Sequence, residues 1–94
     1  MNETQKIKQV EEKLNEIANR LKQQNLSVSL RGSGMSMFLL IDGKNKSVEL
    51  SFDEDDFVWV EFWDGTGDDA KAIKDETYKE FKLAEAEIIK WCMN

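Results

Sequence analysis

Apolar side chains recur every three or four residues through the first quarter of the chain. This spacing predicts one amphipathic helix over residues 3–24, because positions three and four apart share a helix face. Asn2 is placed to cap its first turn, and Asn25 to end it in a left-handed conformation. We expect the apolar stripe to pack on the core of its own domain; a coiled-coil seam is the alternative, but three heptads are short for one. The stripe consists of Ile7, Val10, Leu14, Ile17 and Leu21.

From residue 26 the apolar period changes to two, which predicts β-strands with one wet face. The strands are expected at about residues 26–31, 35–42, 47–52 and 57–63. Gly32-Ser33-Gly34, Asp42-Gly43 and the acidic run Asp53–Asp56 separate them as turns, and Asp-Gly is a strong hairpin signal. Because no proline interrupts the strands, antiparallel pairing in chain order is the simplest topology.

The last quarter of the chain returns to helical spacing, with a helix that begins at either Thr77 or Lys79 and continues to about Trp91. Residues 70–76 are ambiguous between a short edge strand and the approach to this helix. Residues 1–94 are therefore predicted to form a single two-layer α+β domain in the order α-β-β-β-β-α. Its four-stranded antiparallel meander is expected to carry both helices on one face.

The fourth predicted strand has two different faces. One is aliphatic and compact, which suits a position beneath the helices. The other mixes indole rings with a carboxylate, which suits contact with water or with another protein. In the alternative assignment the tryptophans pack inside and the valines face out, and the strand period of two makes the assignments exclusive. The compact face consists of Val58, Val60 and Phe62, and the mixed face of Phe57, Trp59, Glu61 and Trp63.

The negative charge of the protein is concentrated around this strand. The whole chain carries −6, but residues 42–69 hold ten acidic side chains against two lysines, a balance of −8. Such a cluster repels itself and lowers folding stability, so the economical explanation is a basic protein partner. Acidic residues at both ends of an aromatic strand resemble the polar rim and apolar centre of a protein interface. The predicted partner-binding residues are Asp53, Glu54, Asp55, Asp56, Trp59, Glu61, Trp63, Asp64, Asp68 and Asp69.

The residue types argue against an enzyme. The chain has no histidine and a single cysteine, Cys92, which falls on the core face of the last helix and is expected to be a buried small hydrophobe. No carboxylate pair is marked as buried, and neither acidic run has the ligand spacing and glycine of an EF-hand loop. We predict no catalytic residue, no metal site and no cofactor.

Cellular location and partner class follow from the same composition. No apolar run approaches the length of a membrane span, and the N-terminal residues do not resemble a signal peptide. A lone cysteine excludes an internal disulfide. We therefore expect a cytoplasmic protein that is monomeric when free. Its acidic balance disfavours direct binding to nucleic acid or to an anionic membrane, because both require a basic surface.

One stretch of the sequence is distinctive, Trp59–Asp64 with the sequence Trp-Val-Glu-Phe-Trp-Asp, and it is accompanied by Leu30–Gly34 at the first turn and Ile89–Trp91 near the end. With the order of the elements, they resemble small acidic immunity proteins of bacterial polymorphic toxin systems, including contact-dependent growth inhibition. The resemblance implies a protein that holds a cognate toxin domain, often a nuclease, inactive inside the producing cell. A nuclease toxin must be basic to bind phosphates, and an acidic neutraliser would use that charge.

Two other functions fit the same residues. An acidic phage inhibitor, such as an anti-CRISPR or another DNA mimic, would meet a basic nucleic-acid enzyme through nearly identical physics, and gene neighbourhood distinguishes it. The third possible function is that of a structural subunit, which would self-associate through a strand edge or through the sheet face that the helices leave uncovered. Sedimentation at low and high salt separates such a subunit from an electrostatic binder of another protein.

Overall fold

Two helices lie on one face of a five-stranded antiparallel sheet in a computed structural model that describes residues 2–94. The strands follow one another across the sheet in chain order, which confirms the predicted α+β meander flanked by helices. The elements are α1 (Glu3–Lys22), β1 (Ser27–Arg31), β2 (Phe38–Asp42), β3 (Lys46–Phe52), β4 (Val58–Asp64), β5 (Lys71–Tyr78) and α2 (Phe81–Cys92), with short 3₁₀ turns at Gly34–Ser36 and Gly67–Asp69.

The fifth strand is the main difference from the sequence prediction, which counted four strands and left residues 70–76 open. β5 pairs with β4, with an irregularity in register between Phe62 and Trp63. It is an edge strand, and seven of its eight residues are exposed, so it has no buried apolar face whose alternation would reveal it. Helix α2 begins only at Phe81, later than either predicted start, because Thr77 is still paired with β4 in the sheet.

Helix α1 forms as the sequence predicts. The side-chain oxygen of Asn2 accepts a hydrogen bond from the backbone N–H of Gln5 at 2.9 Å, and Asn25 takes a left-handed φ of +66° just beyond the helix. Most of the apolar stripe is buried in the core of the domain, so the core interpretation is correct and the coiled-coil alternative is wrong. The buried members of the stripe are Val10, Leu14, Ile17 and Leu21.

Each helix covers its own part of the sheet. α1 lies over β1 and β2, and α2 lies over β3, β4 and β5. Arg20 of α1 and Glu85 of α2 join the helices through a salt bridge in which both carboxylate oxygens accept guanidinium N–H groups. The hydrogen bond from Arg20 lowers the pKa of Glu85 from its ordinary value. Because both helices lie on the same side, the opposite face of the sheet carries no helix.

Trp91 fastens the last turns of α2 to the sheet. Its Nε1 donates hydrogen bonds to the backbone oxygens of Ser47, at 3.1 Å, and Trp63, at 3.0 Å. Its ring meets the ring of Phe62 edge-on, with the centroids 5.4 Å apart. The ammonium of Lys46 lies 4.2 Å from the centroid of the Trp91 ring. One side chain therefore holds α2 against both β3 and β4.

Gly43 allows the end of α2 to approach the turn between β2 and β3. The predicted Asp42-Gly43 turn is confirmed, since β2 ends at Asp42 and β3 begins at Lys46. A Cβ atom on residue 43 would lie 2.0 Å from the carbonyl oxygen of Cys92, so only glycine fits this contact. Cys92 itself is buried as predicted. Burial, and then the charge of Asp42, raises the pKa of its thiol to about 11, so the thiol stays protonated at neutral pH.

Candidate protein-binding site

The alternation of β4 determines which residues lie on the side of the sheet that no helix covers. One alternate set is at most 1% exposed beneath the helices, and the other is partly exposed on the opposite side. The predicted assignment is confirmed, and its reverse is wrong. We call the uncovered side of the sheet the open face. The buried set is Val58, Val60 and Phe62, and the open-face set is Trp59, Glu61 and Trp63.

Three carboxylates cross the open face side by side. The register places Glu49 of β3 opposite Glu61 of β4, and Glu61 opposite Asp75 of β5. Leu40 of β2 lies on the other side of Glu49. Residues that face each other across antiparallel strands have Cβ atoms about 5 Å apart. We call Glu49, Glu61 and Asp75 the acidic row, and its members are close enough to repel one another.

Trp59 and Trp63 lie on either side of the acidic row, each two residues from Glu61 along β4, or about 7 Å. The residues opposite both tryptophans in the neighbouring strands have small side chains. Small neighbours leave part of each indole uncovered, and both tryptophans are partly exposed. The open face therefore combines aromatic surface with a central line of negative charge. The small neighbours are Ser51 and Thr77 beside Trp59, and Ser47 and Ala72 beside Trp63.

The acidic row is not neutralised by the chain itself. Burial, and then the charge of Glu61, raises the pKa of Glu49 above its ordinary value. Neither of the two salt bridges formed among residues 2–94 includes a member of the row. Arg31 lies on the edge strand β1, where its Nε donates a hydrogen bond to the hydroxyl of Ser29 at 3.2 Å. A cation that reached the row from outside would therefore relieve a repulsion present in the free protein.

Replacing Glu49 by glutamine is expected to stabilise the protein at neutral pH. The raised folded-state pKa of Glu49 means that folding favours its protonated form. The resulting stabilisation is fully present below the ordinary pKa of a glutamic acid and is lost as the pH rises through the raised pKa. Directly opposed like charges destabilise a sheet modestly, and solvent screening of this partly exposed group puts the expected gain at about 0.5 kcal/mol.

Urea unfolding at neutral pH and below the ordinary pKa of a glutamic acid measures this effect. The matched control is Glu12→Gln on the exposed side of α1, which removes the same charge far from the row and should leave stability unchanged. A gain at Glu49 that persisted at the acidic pH would contradict an electrostatic origin.

The first predicted acidic run forms the turn between β3 and β4, and its four carboxylates are exposed at one end of β4. Asp53 has a structural part, since its Oδ1 accepts the backbone N–H groups of Asp55 and Phe57, each at 2.9 Å. Asp56 takes a left-handed φ of +63°. The side chains of Glu54 and Asp55 make no hydrogen bond within residues 2–94 and remain free to meet a partner. Phe57, assigned by sequence to the mixed face, belongs instead to this turn.

The second predicted acidic run lies at the other end of β4, about 20 Å away along the strand. Asp68 and Asp69 are exposed in the 3₁₀ turn that follows the strand. Strand alternation places Asp64 on the helix-covered side, with Lys46 and Lys71 as its cross-strand neighbours. Asp64 therefore does not join the open face, and two lysines offset its charge locally.

Several open-face residues were absent from the predicted site. Glu49 has the alternation phase of a solvent-facing position, and this phase could have identified it. Asp75 could not be placed from sequence, because its alignment with Glu61 depends on the pairing of β5 beyond an irregularity in register. Phe38 and Leu40 are partly exposed on the open face, but they lie in an unbroken apolar run that shows no alternation.

These features define a class of site: an acidic, tryptophan-bearing sheet face on a small α+β meander. A scan against protein-family models finds no match to this chain, and searches of curated proteins and of solved structures return no match either.

Within residues 2–94, neither helix combines the length and the apolar character needed to cross a membrane. No group of three acidic or thiol side chains in that part of the chain is arranged to hold a metal ion.

Proposed function

We propose that this protein binds a basic protein partner through its open face and neutralises it, as an immunity protein neutralises its toxin. The observation that carries the proposal is the acidic row, in which like charges face one another without a counter-charge from the chain. Two partly exposed tryptophans lie beside it. This arrangement lowers the stability of the free protein, and an opposite charge brought by a partner would reverse that effect.

The partner that fits this surface best is an enzyme that acts on nucleic acid, such as a toxin nuclease domain. Such an enzyme presents lysine and arginine side chains to phosphates. The exposed acidic turns at both ends of β4 would attract it and raise the association rate, while the two tryptophans would slow dissociation. Covering the basic surface would exclude the nucleic acid without chemistry by this chain. We therefore propose a non-enzymatic inhibitor that acts in the cytoplasm of the producing cell.

Capture of the partner followed by a neutralisation assay tests the proposal. Tagged protein isolates partners from the native bacterium at low salt, mass spectrometry identifies them, and their nuclease or toxic activity is measured with and without this protein. We expect a basic partner whose activity is suppressed at equimolar protein. A partner whose activity is unchanged would refute neutralisation. A partner encoded by the host rather than beside this gene would favour the phage-type inhibitor. Self-association of the isolated protein at both low and high salt would favour the structural subunit.

Reversing Glu54 and Asp55 together to lysine is expected to slow association with the captured partner about tenfold at low salt, because surface charge acts mainly on the association rate. The turn should survive, since neither side chain is used in it. Stopped-flow kinetics over a salt series measures the effect, which should shrink as salt screens the charges.

The matched control for this double variant is Glu11→Lys with Glu12→Lys, which makes the same charge change on the exposed surface of α1. The control should associate at close to the wild-type rate. Equal slowing by the two double variants would show that net charge, and not the acidic turn, directs the encounter.

A further inference from the structure

We infer that the partner presents an arginine side chain to the acidic row, held between Trp59 and Trp63 and bridging the carboxylates of Glu49 and Glu61. The inference rests on the proposed function, because it names the chemical group by which the basic partner is held. It also specifies which part of the open face makes the central contact. The acidic turns at the ends of β4 then serve attraction at a distance rather than the bound contact itself.

The placement of four side chains supports an occupant of limited size. Trp59, Glu61 and Trp63 lie on one side of the same strand, with about 14 Å between the two tryptophans. Glu49 lies directly opposite Glu61 on β3, so two carboxylates share the middle of this interval. A single side chain that entered between the tryptophans would reach both carboxylates and the aromatic surface on either side.

Charge complementarity on the open face supports a cation as the occupant. The charged groups around Glu49 are Glu61 on β4, Asp42 on β2 and Asp75 beyond Glu61 on β5, and all three are acidic. Arg31 is separated from this group on the edge strand β1. The strand pairing places these carboxylates together without a lysine or arginine opposite them. Burial, and then the charge of Glu61, raises the pKa of Glu49.

The geometry favours arginine over lysine. A guanidinium is planar and carries five N–H donors in a fixed fork, so it can donate to two carboxylates about 5 Å apart at the same time. It also stacks on indole faces and loses less hydration than an ammonium. Lysine offers a compact, strongly hydrated charge that would pair well with one carboxylate and make weaker contacts with the indoles of Trp59 and Trp63.

Titration of isotope-labelled protein with hexa-arginine and with hexa-lysine peptides tests the inference, because the three tryptophan indole N–H signals report on different places. Trp59 and Trp63 lie on the open face, and Trp91 lies on the helix-covered side with its N–H bonded to backbone oxygens. We expect hexa-arginine to shift the signals of Trp59 and Trp63 and to leave that of Trp91 unchanged. Hexa-lysine should bind at least several-fold more weakly.

A pair of double variants provides the control. Glu49→Gln with Glu61→Gln is expected to weaken hexa-arginine binding about tenfold, which corresponds to the loss of roughly 1.4 kcal/mol. Glu11→Gln with Glu12→Gln removes the same charge from the exposed side of α1 and should change affinity by less than about twofold. Thermal unfolding of both variants confirms that they are folded.

Three results would overturn the inference: shifts confined to the acidic turns at the ends of β4, equal affinity for the two peptides, or equal effects of the two double variants. None of these would refute the proposed function if the captured partner were still basic and neutralised. Conversely, a mapped arginine site in a protein that neutralises nothing would refute the proposed function and leave the arginine site standing.

Discussion

Replacing Trp91 by alanine is expected to lower the free energy of unfolding by about 3 kcal/mol, toward the lower end of what large-to-small aromatic substitutions remove. The indole of Trp91 donates to two backbone oxygens, one on β3 and one on β4, and packs edge-on against Phe62. Its loss would leave a cavity under the end of α2 and release the helix from both strands. Denaturant unfolding, followed by far-ultraviolet circular dichroism, measures the change.

Trp91→Phe is the informative control, since it retains a ring against Phe62 and removes the N–H. A smaller loss of about 1 kcal/mol is expected for that change, the ordinary contribution of a hydrogen bond. If Trp91→Ala left stability within about 0.5 kcal/mol of the wild type, the docking of α2 described above would be incorrect.

Replacing Trp59 by alanine is expected to have the opposite profile, with little effect on folding and a large effect on binding. Trp59 is partly exposed on the open face, and its cross-strand neighbours Ser51 and Thr77 are small. A central aromatic anchor of an interface typically contributes about 2 kcal/mol or more, so we expect dissociation from the captured partner to be roughly thirtyfold faster. Surface plasmon resonance measures the dissociation rate, and chemical unfolding measures the stability.

Leu83→Ala is the matched control for Trp59→Ala. Leu83 is a large apolar residue that is 59% exposed on α2, on the other side of the sheet from the open face. It should leave both dissociation and stability nearly unchanged. If the Trp59→Ala variant unfolds, or dissociates at the wild-type rate, the assignment of Trp59 to the interface is wrong.

The sequence predicts correctly those helices and strands that bury one face and expose the other. The stripe of α1 and the alternation of β4 both reflect burial on one side, and burial imposes a period that can be read without a structure. β5 escaped prediction because it is paired along one edge and buries no apolar face: seven of its eight residues are exposed although α2 contacts the strand. Its residues therefore suit the solvated edge of a sheet and show no apolar alternation. The fold class was therefore accessible, and the strand count was not.

The candidate site divides along a similar line. The position of Trp59, Glu61 and Trp63 on one face follows from the period of a single strand. The acidic row required the pairing of three strands, and sequence alone does not supply a register. Asp53 and Asp64 show a second limit: both are acidic residues near the aromatic strand, but one oxygen of Asp53 is used by its own turn and Asp64 lies on the covered side. The composition of a segment gives its number of charges but not the face of the protein on which each charge lies.

Strand order that follows chain order has a kinetic consequence. Every ladder in the sheet joins segments that are consecutive in the chain, and α1 packs on the two strands that follow it. The sheet can therefore form through local pairings, and folding is faster when contacts are local in sequence. Docking of α2 onto β3 is the step that brings distant segments together. Rapid formation of the sheet would suit the proposed function, because the binding face could form soon after synthesis.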